Sequence, residues 1–115
     1  MPTLAAKSCI PCRGGVPPLD EKTASALLAK LDRGWTVEPL HHLTKTFAFA
    51  GFMDALDFVK SVAAVAEAEG HHPDLHLAWG RVGAEIWTHK INGLTESDFI
   101  LAAKMDEVYK TRPTD

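Results

Sequence analysis

Six histidines in this 115-residue chain are the side chains whose type and placement point most directly to chemistry. Two of them, His71 and His72, are adjacent; Gly70, a residue that commonly ends helices, precedes them, and Pro73 prevents the helix from continuing. A helix C-terminus favours an imidazolium, whereas a neighbouring imidazole disfavours charging both rings at once. The pair is therefore expected to titrate in two steps, so that one ring can give a proton while the other accepts one.

Glu67 lies four residues before His71, on the same side of the last helical turn, and is expected to orient or charge-balance that ring. The alternative is that His71 and His72 only bond the carbonyl groups at the helix end. A second pair, His41 and His42, falls in an expected hairpin turn among proline and leucine residues. We interpret this second pair as solvated side chains without a function.

Residues further along the chain favour a chemical role for the first pair. The chain contains the spaced motif Glu67-x3-His71-His72-Pro73-x5-Trp79-x9-His89-x8-Asp98. This motif resembles the signature of the pterin-4a-carbinolamine dehydratases at every position. The resemblance extends to Gly34-Trp35, Trp87-Thr88-His89, the run from Gly93 to Asp98, and Cys9-x-x-Cys12-x-Gly14-Gly15. The chain departs from some members at Gly70, where they carry an acidic residue, and at Leu75, where they carry tryptophan.

The resemblance implies a hydro-lyase that removes water from a 4a-hydroxytetrahydropterin and gives the quinonoid dihydropterin, as in tetrahydrobiopterin recycling. Hydroxide is a poor leaving group near neutral pH. An acid must therefore protonate the departing oxygen while a base takes a ring proton, and histidine suits both roles. No metal or redox cofactor is expected, because two proton transfers suffice. The implied partners are a pterin substrate and further copies of the chain, in a homodimer or homotetramer.

The resemblance also implies a role for each residue of the motif. The expected catalytic residues are His71, His72 and His89; the expected substrate-binding or supporting residues are Glu67, Pro73, Trp79 and Asp98. Trp79 would supply a stacking wall for the flat pterin. Asp98 would cap a helix, and it would also support His89 or accept hydrogen bonds from the pterin.

Two other functions stay open at this point. One is a non-catalytic dimerisation or partner-binding module of the same fold, although such a surface does not need three convergent imidazoles. The other is a metal site built from His71, His72, His89 and the pair Cys9 and Cys12. It ranks last, because adjacent residues in an extended segment point apart. Cys9 and Cys12 are instead expected to be reduced and unligated.

Composition places limits on the class of protein. Hydrophobic residues make up 46% of the chain and charged residues 23%, values typical of a water-soluble globular domain. The net charge of −3 gives no basic excess, so neither nucleic acid nor an anionic membrane surface is an expected ligand. No apolar stretch is long enough to span a bilayer and no apolar signal core opens the chain, so a cytoplasmic location is expected.

The elements that must position these side chains follow from periodicity and turn residues. We predict helices over 20–32, 52–69 and 95–111, and strands over 35–38, 43–49, 75–79 and 82–88. Thr95 and Asp98 form a capping-box pattern at the start of the last helix. The predicted apolar stripe of the second helix consists of Phe52, Ala55, Leu56, Val59, Val62, Ala63 and Ala66. The order predicts an α+β fold, a two-layer sandwich with a mainly antiparallel four-stranded sheet and helices on one face. One domain is expected over residues 1–115, with a flexible tail over 1–18.

Overall fold

The computed structural model describes residues 4–7, 18–38 and 41–112. Within these ranges the helices are α1 (Glu21–Leu28), α2 (Phe52–Glu69) and α3 (Glu96–Thr111), and the strands are β1 (Thr36–Glu38), β2 (His42–Ala48), β3 (Asp74–Ala78) and β4 (Arg81–Ile86). Two short 3-10 helices cover Leu4–Ala6 and His89–Ile91. The predicted order of helices and strands is confirmed.

The strands form one antiparallel sheet in the order β1-β2-β4-β3. Alternate residues of the two central strands face the core: Leu43 of β2 pairs with Ile86 of β4, and Phe47 pairs with Val82. All four side chains are buried, whereas their neighbours along each strand are more exposed. The helices therefore cover one face of the sheet, and the predicted α+β fold is confirmed.

The end of α2 places the histidine pair at the start of β3. Gly70 adopts the left-handed conformation (φ 67°, ψ 26°), which a glycine reaches without steric cost. The backbone N–H of His71 donates to the carbonyl of Ala66 at 3.2 Å, which closes the helix end. Because the left-handed residue turns the chain out of the helix, His71 and His72 leave α2 in an extended path toward β3.

The buried face of α2 differs from the predicted one. Its buried residues are Ala55, Phe58, Val62 and Ala66. The predicted stripe included Phe52 and Ala63, but Phe52 is 43% exposed and Ala63 is also exposed. This helix is apolar on more than one side, so helical spacing fits two adjacent stripes and does not choose between them.

Helix α1 is shorter than the predicted 20–32. The Asp20 carboxylate caps its start by accepting a hydrogen bond from the Thr23 backbone N–H at 2.8 Å. This bond lowers the pKa of Asp20 below its ordinary value of 3.8. After Leu28 the chain tightens into i→i+3 turns, which bring it to Gly34 without a further α-helical turn.

A buried carboxylate joins α3 to the first strands. Asp106 is 3% exposed, and it accepts hydrogen bonds from the Trp35 indole N–H at 3.0 Å and the Lys45 ammonium at 2.8 Å. The backbone N–H of Asp32 adds a third bond at 3.1 Å. The ammonium of Lys45 also lies 4.6 Å from the ring centroid of Phe47. This group of polar contacts holds the β1 and β2 region against α3.

The expected flexible tail over 1–18 lies mostly outside the described residues, and so do Cys9 and Cys12. Its described part packs against α3: Leu4 is buried, the carbonyl of Ala5 accepts from Lys104 at 2.8 Å, and Lys7 pairs with Glu96 at 3.0 Å. None of the helices in the described ranges has both the length and the apolar character needed to cross a membrane.

Candidate active site

A small cleft beside the C-terminus of α2 brings together histidines from two parts of the chain. His71, His72 and His89 all line this cavity of about 190 Å³, together with Gly70, Trp87 and Lys90. Because β3 and β4 are antiparallel, the start of β3 and the end of β4 lie at the same end of their hairpin. Larger depressions of about 510 and 410 Å³ lie along α2 and α3, and neither is lined by a histidine.

His71 forms a buried pair with Asp98. Its Nε2 atom lies 2.6 Å from the carboxylate Oδ1 atom, with the side chains 4% and 0% exposed. The other carboxylate oxygen accepts hydrogen bonds from the Thr88 hydroxyl at 3.0 Å and the Thr95 backbone N–H at 2.7 Å. An ionised carboxylate only accepts hydrogen bonds, so Nε2 of His71 carries the proton of this bond.

Asp98 thus has two structural links at once. It is the third residue of α3, and with Thr95 it forms the capping box that the sequence predicts. Its contact with a histidine differs from the expected one, since it pairs with His71 and not with His89. Because Asp98 lies in the first turn of α3, its carboxylate both caps that helix and supports His71.

His72 faces the opposite way from its neighbour. Its Nε2 atom lies 2.8 Å from the carboxylate of Glu67, and the two side chains are 57% and 79% exposed. The expected contact between Glu67 and His71 is therefore wrong, because the ring of His71 turns inward to Asp98 while that of His72 stays at the helix surface. Pro73 does not line the cleft, and its ring holds the preceding His72 in an extended backbone conformation.

The aromatic residue beside the histidines is Trp87. Its ring centroid lies 4.3 Å from that of His89, at an interplanar angle of 48°. Trp79, the expected stacking wall, lies in the β3–β4 turn and is 74% exposed. The five residues of β3 separate it from the histidine pair, roughly 16 Å at about 3.3 Å per residue. Trp79 is therefore at the far end of the hairpin within this subunit.

Sequence alternation contained the signal for Trp87. Residues two apart on a strand share a face, so Glu85, Trp87 and His89 are expected on one side, opposite the buried Thr88. The spaced motif from Glu67 to Asp98 does not specify position 87, and the resemblance at Trp87-Thr88-His89 gives this tryptophan no role of its own.

The pair His41 and His42 is not simply solvated. Both residues are half-buried, with His41 Nε2 at 2.7 Å from the Asn92 side-chain oxygen and His42 Nε2 at 3.3 Å from the Glu85 carboxylate. Their ring centroids lie 5.3 and 5.9 Å from that of Trp87. The solvated interpretation was wrong, because the acidic partner is on a neighbouring strand and not nearby in sequence.

In the described part of the chain, no three His, Cys, Asp or Glu side chains are grouped so that they could hold one metal ion. His71 and His72 each pair with a different carboxylate, so their rings do not converge on one point. The proposed involvement of Cys9 and Cys12 in a metal site lies outside the described residues.

Comparison with known proteins gives consistent matches over most of the chain. A family model described as Pterin 4 alpha carbinolamine dehydratase matches residues 17–108. A Rickettsia canadensis protein named as a pterin-4-alpha-carbinolamine dehydratase is 57% identical over 106 residues, covering 92% of this chain and 97% of its own. A protein of the same name from Rubrobacter xylanophilus is 50% identical over 108 residues, covering 94% of this chain and 100% of its own.

A solved structure shares both the fold and part of the sequence. It is the crystal structure of a transcriptional coactivator/pterin dehydratase from Brucella melitensis, with a TM-score of 0.75 and 35% identity over 80% of this chain and 98% of that chain. Fold, cleft and matches together define an enzyme of the hydro-lyase class, which removes water from its substrate. The chain belongs to the pterin 4 alpha carbinolamine dehydratase family.

Proposed function

We propose that this protein dehydrates a 4a-hydroxytetrahydropterin by histidine general acid–base catalysis and serves tetrahydrobiopterin recycling. The observation that carries this proposal is the meeting of His71, His72 and His89 in one cleft, each in a different environment. His71 is buried against a carboxylate, His72 is exposed beside Glu67, and His89 lies against an indole. Groups with different surroundings can hold protons differently, as an acid and a base in one site must.

The reaction needs two proton transfers and no change in oxidation state. One imidazolium donates a proton to the C4a oxygen as the C–O bond breaks, and one neutral imidazole takes a ring proton as the C=N bond forms. We assign these two roles to His71 and His89, with His72 positioning the substrate. Each transfer by a well-placed group is typically worth about 10²- to 10⁴-fold in rate. The chemistry therefore requires no metal or redox cofactor.

Asp98 supports this assignment through His71. Two other donors hold the carboxylate in place, so it keeps the His71 ring oriented. Trp87 offers an apolar ring surface at the cleft, suited to contact with a flat heterocycle. Glu67 is placed to orient His72 at the open side.

The direct test generates the carbinolamine in solution and follows its dehydration with and without the purified protein. We expect the protein to accelerate the loss of water, and the acceleration to depend on His89. A folded protein that gives no acceleration would contradict the proposal. Adding a chelator to the same assay is expected to leave the rate unchanged.

A second function is favoured by the name of the Brucella melitensis protein, which combines coactivator and pterin dehydratase. Among the residues that the structure describes, three large hydrophobic side chains are exposed: Phe52, Met53 and Trp79. A partner-binding module would use such a surface whether or not the cleft is active. Binding of a protein partner that persists in a catalytically dead His89→Ala variant would show that the two functions are separate.

A homodimer or homotetramer is also proposed, from the resemblance and from the same exposed side chains. Light scattering on the eluting protein measures the mass directly, and a monomer at micromolar concentration would contradict this. The cytoplasmic location stays a prediction.

A further inference from the structure

The β1–β2 turn is linked to the turn that carries His89. Nε2 of His41 lies 2.7 Å from the side-chain oxygen of Asn92. Asn92 adopts a left-handed conformation (φ 51°, ψ 46°) and ends the short helix His89–Ile91, where its backbone N–H donates to the His89 carbonyl at 3.2 Å. The side chain of His41 therefore holds the residue that closes this turn.

Trp87 provides a second link between the same two segments. Its ring centroid lies 5.3 Å from that of His41 and 4.3 Å from that of His89. Trp87 and His89 line the cleft, whereas His41 does not. His41 can thus affect the cleft only through the groups that it contacts.

The hydrogen bonds around His41 determine where its proton lies. The Asn92 oxygen is an acceptor, so Nε2 of His41 carries a proton. The Nδ1 atoms of His41 and His42 are 3.2 Å apart, which requires one to donate to the other. Nε2 of His42 lies 3.3 Å from the Glu85 carboxylate. The Nε2–H of His41 therefore points toward Asn92, whichever of the two Nδ1 atoms is the donor.

We propose that His41 is a positioning residue for His89, acting through Asn92 and Trp87. The inference rests on the proposed function, in which His89 transfers a proton to or from the substrate. General acid–base catalysis requires hydrogen-bond distance between the ring and its target, and small displacements of such groups reduce rates strongly. Without the contact from His41, the turn His89–Ile91 keeps its backbone bonds but loses a link to the β1–β2 turn.

The kinetic test compares kcat and KM of the wild-type protein with those of His41→Ala, His41→Gln and Asn92→Gly. We expect His41→Ala and Asn92→Gly each to lower kcat about tenfold with little change in KM. Each change disturbs the position of His89 and leaves substrate binding intact. His41→Gln should recover most of the loss, since its amide N–H can replace the donor. Asn92→Gly removes the acceptor while permitting the left-handed backbone.

His76→Ala is the matched control. His76 is exposed and lies 3.8 Å from the same Glu85 carboxylate, but it contacts neither Asn92 nor Trp87 in the described structure. The His76→Ala variant should have the same kcat as the wild type. The double variant His41→Ala/Asn92→Gly should lose about as much as His41→Ala alone, because His41→Ala already removes the bond to Asn92. The proposal would be overturned if the losses in kcat multiply in the double variant, or if folded His41→Ala keeps the wild-type kcat.

A readout that does not need turnover separates this inference from the proposed function. The imidazole NMR resonances of His89 should shift or broaden in His41→Ala and stay unchanged in His76→Ala. If these resonances change but the wild-type protein does not accelerate dehydration, the proposed function fails. The contact through Asn92 is then a structural link only, and the catalytic role of His41 is overturned. Unchanged resonances would refute the positioning role in an active enzyme.

Discussion

The Nε2 atom of His71 lies 2.6 Å from Oδ1 of Asp98, and both side chains are almost completely buried. This pair joins the end of α2 to the first turn of α3, because the second oxygen of Asp98 is bonded within the α3 capping box. The same carboxylate thus supports the proposed catalytic histidine and stabilises the start of α3.

Asp98→Asn is expected to lower kcat by about 10²-fold or more with a smaller effect on stability. The amide oxygen would stay on the Thr88 and Thr95 donors, so its NH₂ group would face His71. Nε2 of His71 would then have to accept, which inverts the tautomer of that ring. Steady-state kinetics and thermal unfolding of the same sample measure the two effects. Wild-type kcat in this variant would show that His71 does not transfer a proton.

His89→Ala and His71→Ala should differ in their effect on stability. His89 is exposed, so its removal should lower kcat by about 10²-fold or more without changing the unfolding midpoint. His71→Ala should lower kcat too, and also cost roughly 1 to 3 kcal/mol of unfolding free energy, because it leaves the Asp98 oxygen without this partner. Urea unfolding gives the free energies. Thr95→Ala, expected to cost about 1 kcal/mol, is the stability control.

Glu67→Gln should have a small effect on rate that depends on salt. Glu67 and His72 are largely exposed, so their attraction is weak and screened by ions. We expect less than a tenfold loss in kcat/KM at low salt, and a smaller difference from the wild type at high salt. A large loss that persists at high salt would instead indicate direct contact of Glu67 with the substrate.

Asp106→Ala should be among the most destabilising single changes. It removes the carboxylate that pairs with the buried Lys45 ammonium and the Trp35 indole N–H. Breaking a buried ion pair by removing one partner costs about 3 to 5 kcal/mol. Asp106→Asn keeps an acceptor and should lose less. Because Asp106 is not part of the cleft, the folded fraction of either variant should retain the wild-type kcat; a selective loss of kcat would contradict this separation.

The N-cap of α1 should make a pH-dependent contribution to stability. The hydrogen bond from Thr23 favours the ionised carboxylate and lowers the pKa of Asp20 from 3.8. Its contribution is therefore fully present above pH 3.8, the unfolded value, and is lost as the pH falls through the lower folded value. Asp20→Asn keeps a capping oxygen that does not titrate. The midpoint difference between the wild type and this variant should shrink below pH 3.8; a difference that grows there would contradict the assignment.

Much of the fold was predictable because its signals are local. Gly70 and Pro73 end α2, Thr95 and Asp98 begin α3, and alternation assigns the inward face of β4; each depends on residues within a few positions of one another. The same locality explains the errors. Periodicity could not choose between two apolar stripes of α2, and it extended α1 past the point where the chain tightens into turns.

The sequence by itself determined the order of the elements, the residue types available for acid–base chemistry and, through its motif, the family. Only the tertiary structure decided which side chains meet. Asp98 pairs with His71, Glu67 with His72, and Trp87, not Trp79, lies beside His89. These contacts depend on the strand order and on the direction in which each chain segment leaves its helix or strand. They join residues between two and 27 positions apart, and sequence spacing alone does not predict them.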